Sequence, residues 1–106
     1  MNGTEKQVKW AEEIKATAYA NVDMWEDHFG ASTIPGDALT ATLMKILRAN
    51  LDMIFAAKDD AAWIIDHRNL ISADQMMRQV YTWANQIKAG KVTLKKLAEL
   101  TGAKLD

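Results

Sequence analysis

The chain offers few groups able to do covalent or metal chemistry: two histidines, two serines and no cysteine. His28 stands in Glu26-Asp27-His28 and His67 in Asp66-His67. Residues share a helix face when they are three or four apart, and adjacent residues do not. These groupings therefore predict no metal site. Nucleophilic catalysis needs a nucleophile, a base and an orienting group in one pocket. Ser72 is followed by Gln75, the spacing of a helix N-cap, and Ser32 falls in the loop around the single proline. Neither serine lies in a Gly-x-Ser-x-Gly turn. There is no Gly-x-Gly-x-x-Gly and no Gly-Lys-Ser/Thr to cradle a phosphate. The expectation is a non-catalytic protein that needs no cofactor.

What stands out instead is surface chemistry. Four tryptophans, Trp10, Trp25, Trp63 and Trp83, are many for 106 residues. Tryptophan is favoured both in small cores and at binding hot spots. Trp25 and Trp83 fall on apolar stripes and are assigned to the core. Trp10 lies beside its stripe, and Trp63 shares a short segment with Asp66, His67 and Arg68. Trp10, Trp63, His67 and Arg68 are the candidate protein-interaction surface. The competing role for Arg68 is an ion pair that ties its helix to the bundle.

Charge is also uneven. Asn21 to Met44 holds Asp23, Glu26, Asp27 and Asp37 with no lysine or arginine. From Lys88 onward five lysines face only Glu99 and Asp106. Lys88, Lys91, Lys95 and Lys96 are the candidate contacts to a polyanion; the alternative is two ordinary solvated faces. The net charge of −1 speaks against both a strongly basic nucleic-acid binder and an acidic DNA mimic. Leu97-Ala98-Glu99-Leu100-Thr101-Gly102 looks like the first helix and turn of a helix-turn-helix. Only four residues follow it, so no recognition helix is expected to enter a groove.

The elements that must position these residues read as helices. Thr4 and Gln7 have capping-box spacing, and Val8, Ala11, Ile14, Ala18, Val22, Trp25 and Phe29 recur in steps of three and four. Gly30 is the expected left-handed C′ residue. After the loop at 31–36, Asp37 is the expected cap of a second helix. Its stripe is Leu39, Leu43, Ile46, Leu47, Asn50, Leu51 and Ile54, widened by Met44, Met53 and Phe55, which makes it the central helix. Asp59 and Asp60 break the pattern and can cap a short third helix, although no glycine or proline forbids continuation.

Ser72 and Gln75 cap the fourth helix, with Ile71 and Met76 as its hydrophobic staple. Thr93 begins the fifth, with Val92 and Leu97 as staple and Leu94, Leu97, Ala98 and Leu100 facing inward. No segment alternates with period two, so no strand is predicted. The reading is all-α: one domain over 1–106, a compact bundle of four main helices plus one short helix, at about 5–29, 38–57, 60–68, 73–89 and 94–101. Trp10-Ala11-Glu12-Glu13-Ile14-Lys15-Ala16 echoes Trp83-Ala84-Asn85-Gln86-Ile87-Lys88-Ala89. Its flanks do not match, so coincidence of helix packing is favoured over duplication.

Composition bounds the setting. Hydrophobic residues are 49% and charged residues 25%, an ordinary globular balance rather than a disordered one. Met1-Asn2-Gly3-Thr4-Glu5-Lys6 runs straight into charge, and no stretch approaches 18 apolar residues. A cytoplasmic protein with no membrane partner is expected.

Gly3-Thr4-Glu5-Lys6-Gln7-Val8-Lys9-Trp10-Ala11-Glu12-Glu13-Ile14-Lys15 resembles a block shared by a family of small bacterial, phage and plasmid proteins with no established activity. Ala62-Trp63-Ile64-Ile65-Asp66-His67-Arg68-Asn69 is similar to that family's Trp-Ile-Asp-Asn-Arg block, with Ile where a second aromatic stands and His67 where Asn is usual. The resemblance covers about a fifth of the chain and implies a mobile-element setting. Small proteins of that setting often bind and block host proteins, CRISPR and restriction enzymes included. The leading expectation is thus a protein-binding inhibitor or adaptor of anti-defence type. The alternatives are a nucleic-acid-associated protein using its lysine-rich end, and a structural or self-associating module.

Overall fold

A computed structural model describes residues 1–105. They form five α-helices and one 3-10 turn: α1 (Glu5–Gly30), α2 (Asp37–Ala57), α3 (Ala61–Asp66), a 3-10 segment (Arg68–Ile71), α4 (Ala73–Lys88) and α5 (Leu94–Thr101). The fold is all-α, and four of the five helices exceed six residues, with α3 the short one.

α2 is the centre. It carries six buried residues, Leu43, Met44, Ile46, Leu47, Leu51 and Phe55. α1, α4 and α5 all pack against it, while α3 packs against α1. α1 contributes Ala11, Ala18 and Val22, and small side chains there let two long helices approach closely. Val8, Ile14, Trp25 and Phe29 extend this stripe, half-buried at its edges. Trp83 is buried as expected, whereas Trp25 is only partly covered. Met53 and Leu100 depart from the inward reading; they are 48% and 58% exposed. Met53 lies two residues from both Leu51 and Phe55, near the opposite side of α2, and Leu100 stands three from Leu97 on the solvent side of α5.

The helix ends follow local chemistry, with three corrections. Thr4 and Gln7 form the full capping box of α1, each side chain meeting the other residue's N–H. Ser72 accepts from the Gln75 N–H, without the reciprocal bond. Thr93 accepts from the Lys96 N–H. Gly30, expected to be left-handed, is instead the last helical residue; Ala31 N–H donates to Asp27 O and closes the end without a positive φ. Between α1 and α2 the residue with positive φ is Gly36, at 93°. Pro35 and Gly36 occupy the middle of a turn closed by Asp37 N–H to Ile34 O, and proline then glycine suits such a turn. Gly36, not Asp37, is therefore the N-cap of α2.

The third correction is the end of α3, which stops at Asp66 rather than Arg68. The start of α3 is set by Asp60, whose carboxylate accepts from the Ala62 N–H. It is also set by the N-terminal strap, since Asn2 N–H donates to Asp59 O and Ala61 N–H donates to Asn2 O. This pairing pulls residues 58–60 out of helix and separates α2 from α3.

Candidate functional site

The candidate site is built where α1 passes the end of α3. In α1, residues 8, 11, 18 and 22 turn toward the core, so Trp10 lies at the flank of the buried stripe. Its indole is 47% exposed. Arg68, first residue of the 3-10 turn, reaches over it, with the guanidinium carbon 5.3 Å from the ring centroid. A guanidinium over an exposed indole gains about 0.5–1 kcal/mol.

This pair stands at the rim of a groove of about 440 Å³. One wall is the α1 face of Trp10, Glu13, Ile14, Thr17, Ala18 and Asn21. That spacing of three and four is one continuous side of a helix. The other wall is the 3-10 turn and the start of α4, including Arg68, Ile71 and Ala73. The lining is mixed: Trp10, Ile14, Ala18, Ile71 and Ala73 supply apolar surface, and Thr17, Asn21, Asn69 and Ser72 supply polar groups beside one carboxylate, Glu13, and one cation, Arg68.

Trp63 and His67 do not join this groove. They form a second pair of their own, stacked at 4.2 Å between centroids and inclined by 17°. His67 Nδ1 lies 2.8 Å from Trp63 O, and its backbone N–H donates to the same carbonyl. Since a carbonyl only accepts, Nδ1 carries the proton in this bond. Arg68 Nη1 donates to Ile65 O at 2.7 Å. The last carbonyls of a helix lack the usual backbone partners four residues on; here the His67 N–H serves Trp63 O and Ile65 O, and the His67 and Arg68 side chains add a second bond to each. The Asp66-His67-Arg68 block thus terminates α3 without glycine or proline. The four predicted residues are neighbours in the chain fold, but they make two sites: Trp10 and Arg68 frame a groove, while Trp63 and His67 end a helix. Lys58 also lies over Trp63, 5.9 Å from the ring centroid.

The predicted role of Arg68 as an ion-pair partner is not what the fold uses; among the described residues it meets no carboxylate. That role belongs to Arg48, which sequence reasoning missed. Arg48 on α2 donates to Asp23 and to Glu26, the latter at 2.9 Å, and so clamps α2 to α1. Burial disfavours its charge, but the hydrogen bonds and charges of Glu26 and Asp23 outweigh this and raise its pKa. Asp23 and Glu26, three residues apart, were a readable signal; their cation was not, because it lies 22 and 25 residues away.

The two serines are occupied structurally. Ser72 Oγ donates to Asn69 O and accepts from the Gln75 N–H, and Ser32 Oγ accepts from the Ile34 N–H. His28 is exposed and edge-on to Phe29. Among the described residues no three His, Asp or Glu side chains are placed to hold a metal ion, and no helix is long and apolar enough to cross a membrane. Lys88, Lys91, Lys95 and Lys96 are all exposed and, among the described residues, none is in an ion pair. Comparison of the chain with protein-family models, curated proteins and solved structures finds no match.

Proposed function

We propose that this protein is a non-catalytic protein-interaction module that receives a partner segment in the α1 groove framed by Trp10 and Arg68. The observation that carries the reading is the half-exposed Trp10 indole, covered on one side by Arg68, at the rim of a groove of mixed polar and apolar lining. Large amphipathic aromatics and arginine dominate interface energetics when a partner covers them. From Trp10 to Asn21 the groove wall spans about 16 Å at the α-helical rise. That length suits three turns of an amphipathic helix or a short extended segment. Ile14 and Ile71 both line the groove and would meet an apolar side chain of the partner. Arg68 keeps N–H donors beyond the one given to Ile65, so an acidic residue on the partner suits that end. The protein would then act by occupancy, as an inhibitor or adaptor. The resemblance of the sequence blocks around Trp10 and Trp63 to small mobile-element proteins supports a host protein as target.

The test is affinity capture from the native host with the wild-type chain and two variants, Trp10→Ala and Thr17→Arg, the second filling the groove. Trp10→Ala is expected to cost the fold about 1–3 kcal/mol, because about half of the indole is buried and its contact with Arg68 is lost. Both variants are expected to lose the same captured protein while keeping the helical circular dichroism signal. Equal capture by all three chains refutes the reading. A dimer of the wild type that Thr17→Arg splits, with no foreign protein captured, replaces it with self-association.

A further inference from the structure

A second surface lies on α4 and α5, away from the α1 groove. Residues 75–98 contain Arg78, Lys88, Lys91, Lys95 and Lys96 and not one carboxylate. The whole chain has a net charge of −1, so this segment carries +5 and the remainder −6. Arg78 is neutralised by Asp74, 3.2 Å away. The four lysines fall within residues 88–96, in the last turn of α4, the connection at 89–93 and the first turn of α5. Lys88 has a reason in the fold, since a cation at a helix C-terminus favours the helix dipole. Lys95 and Lys96 have the opposite placement: they sit in the first turn of α5, where the dipole disfavours cations. Glu99 lies one turn on from both, yet among the described residues neither lysine is in an ion pair, so two lysines held against that preference are poorly explained by the fold alone.

The adjoining face of α4 has matching character. Tyr81, Asn85 and Lys88 recur at four and three residues, one side of the helix, and all are exposed. Tyr81 is 56% exposed. Beside this row a shallow groove of about 310 Å³ runs along Asn85, Gln86 and Lys91. An exposed aromatic ring, side-chain amides and four lysines facing the single nearby carboxylate of Glu99 make a stacking platform with a phosphate track.

We infer that the α4–α5 corner binds single-stranded nucleic acid, with Tyr81 stacking on a base and Lys88, Lys91, Lys95 and Lys96 meeting phosphates. A single strand suits the surface better than a duplex. No element here projects as a recognition helix, whereas an unpaired base can reach an exposed ring on a convex face. The inference stands apart from the proposed α1 function, because it uses none of the same residues.

The experiment is fluorescence anisotropy of the full chain with a labelled oligothymidylate of about 20 nucleotides, the scale of single-strand binding sites. Four lysine–phosphate contacts on a single strand give a salt slope of about −2.8, so affinity is expected to fall roughly fiftyfold from about 50 to about 200 mM salt. Lys88→Glu combined with Lys91→Glu is expected to abolish binding at low salt. Tyr81→Ala is expected to weaken binding by roughly five- to a hundredfold and leave the slope unchanged, because stacking releases no counterions. Circular dichroism of each variant separates lost binding from lost fold, and Lys95→Gln with Lys96→Gln serves as a milder pair if charge reversal unfolds the corner. No binding at low salt overturns the inference. So does a duplex bound more tightly than the single strand with no effect of Tyr81→Ala, or polyglutamate competing as well as the oligonucleotide. Trp10→Ala is expected to bind the oligonucleotide like the wild type, so failure here leaves the α1 reading intact.

Discussion

Tyr19 shows how one polar tip changes the behaviour of a packed residue. Its ring leans on Phe55 at 5.9 Å, and its hydroxyl donates to Asp52 Oδ1 at 2.5 Å. Burial raises the phenol pKa well above its ordinary value of 10.0; the Asp52 hydrogen bond and charge raise it further, and Arg48 partly opposes them. The folded chain therefore keeps a proton that the unfolded chain loses near pH 10. The stabilisation is fully present below that pH and drains away as pH rises above it. Denaturant unfolding between about pH 8 and about pH 12 should show the wild type losing stability at the alkaline end. Tyr19→Phe, which has no such proton, should start about 1 kcal/mol lower at neutral pH and lose less on the way up. Parallel curves for the two chains would show that Tyr19 is not the group responsible.

At the level of the element, the short α3 depends on what grips its two ends. The His67 and Arg68 side chains add bonds to its last carbonyls, and the N-terminal strap pairs with its entrance. Gly3 makes that strap possible. It sits at φ 138°, and a Cβ there would lie 2.8 Å from the Cβ of the fully buried Ala61. Ala61 cannot move aside without disturbing the core. Gly3→Ala is therefore expected to destabilise the protein by about 1–3 kcal/mol, from strain at positive φ and overpacking together. Thermal unfolding would measure the loss. Hydrogen exchange should locate it at the amides of Asn2 and Ala61, and a variant with unchanged protection there would remove the strap from the account.

For the whole molecule, the consequence of a single central helix is uneven cohesion. α1 and α2 form a long antiparallel pair joined by apolar packing and by the Arg48 clamp. α5 has eight residues and packs chiefly on α2, with Leu97 its most buried apolar anchor. A helix of that length is not stable alone. Leu97→Ala is expected to cost about 2–3 kcal/mol, toward the lower end for a buried leucine because the site lies at the edge of the core. Native-state hydrogen exchange should show protection falling most in residues 94–101, with α1 and α2 retaining local protection. A uniform loss across all helices would mean that α5 is not a separable unit. The charge map has the same division, with the cationic stretch on α4 and α5 and the acidic excess elsewhere.

The helices were legible because their determinants are local. Capping spacings at Thr4, Asp60, Ser72 and Thr93, and stripes with the helical period, act within a turn or two of chain. Ends were less legible where the decisive partner was remote or unusual, as at Gly30, Asp37 and His67. The two similar strings make the division plain. Trp10 and Trp83 each begin a Trp-Ala-x-x-Ile-Lys-Ala run, yet Trp10 is 47% exposed and Trp83 is 8% exposed. In α4, Trp83 continues the buried row of Met76 and Val80; in α1, Ala11 belongs to the buried row and Trp10 falls beside it. The residue types named Trp10, Trp63, His67 and Arg68 as candidates. Only packing separated a helix-ending pair from a groove-framing pair, and only packing supplied the groove's second wall from residues 68–73. The paucity of histidine and serine and the absence of cysteine were fixed by composition, which needs no fold. Which tryptophan meets water was decided by the side of each helix that the neighbouring helices cover, because burial is a property of pairs of elements rather than of the string that forms one.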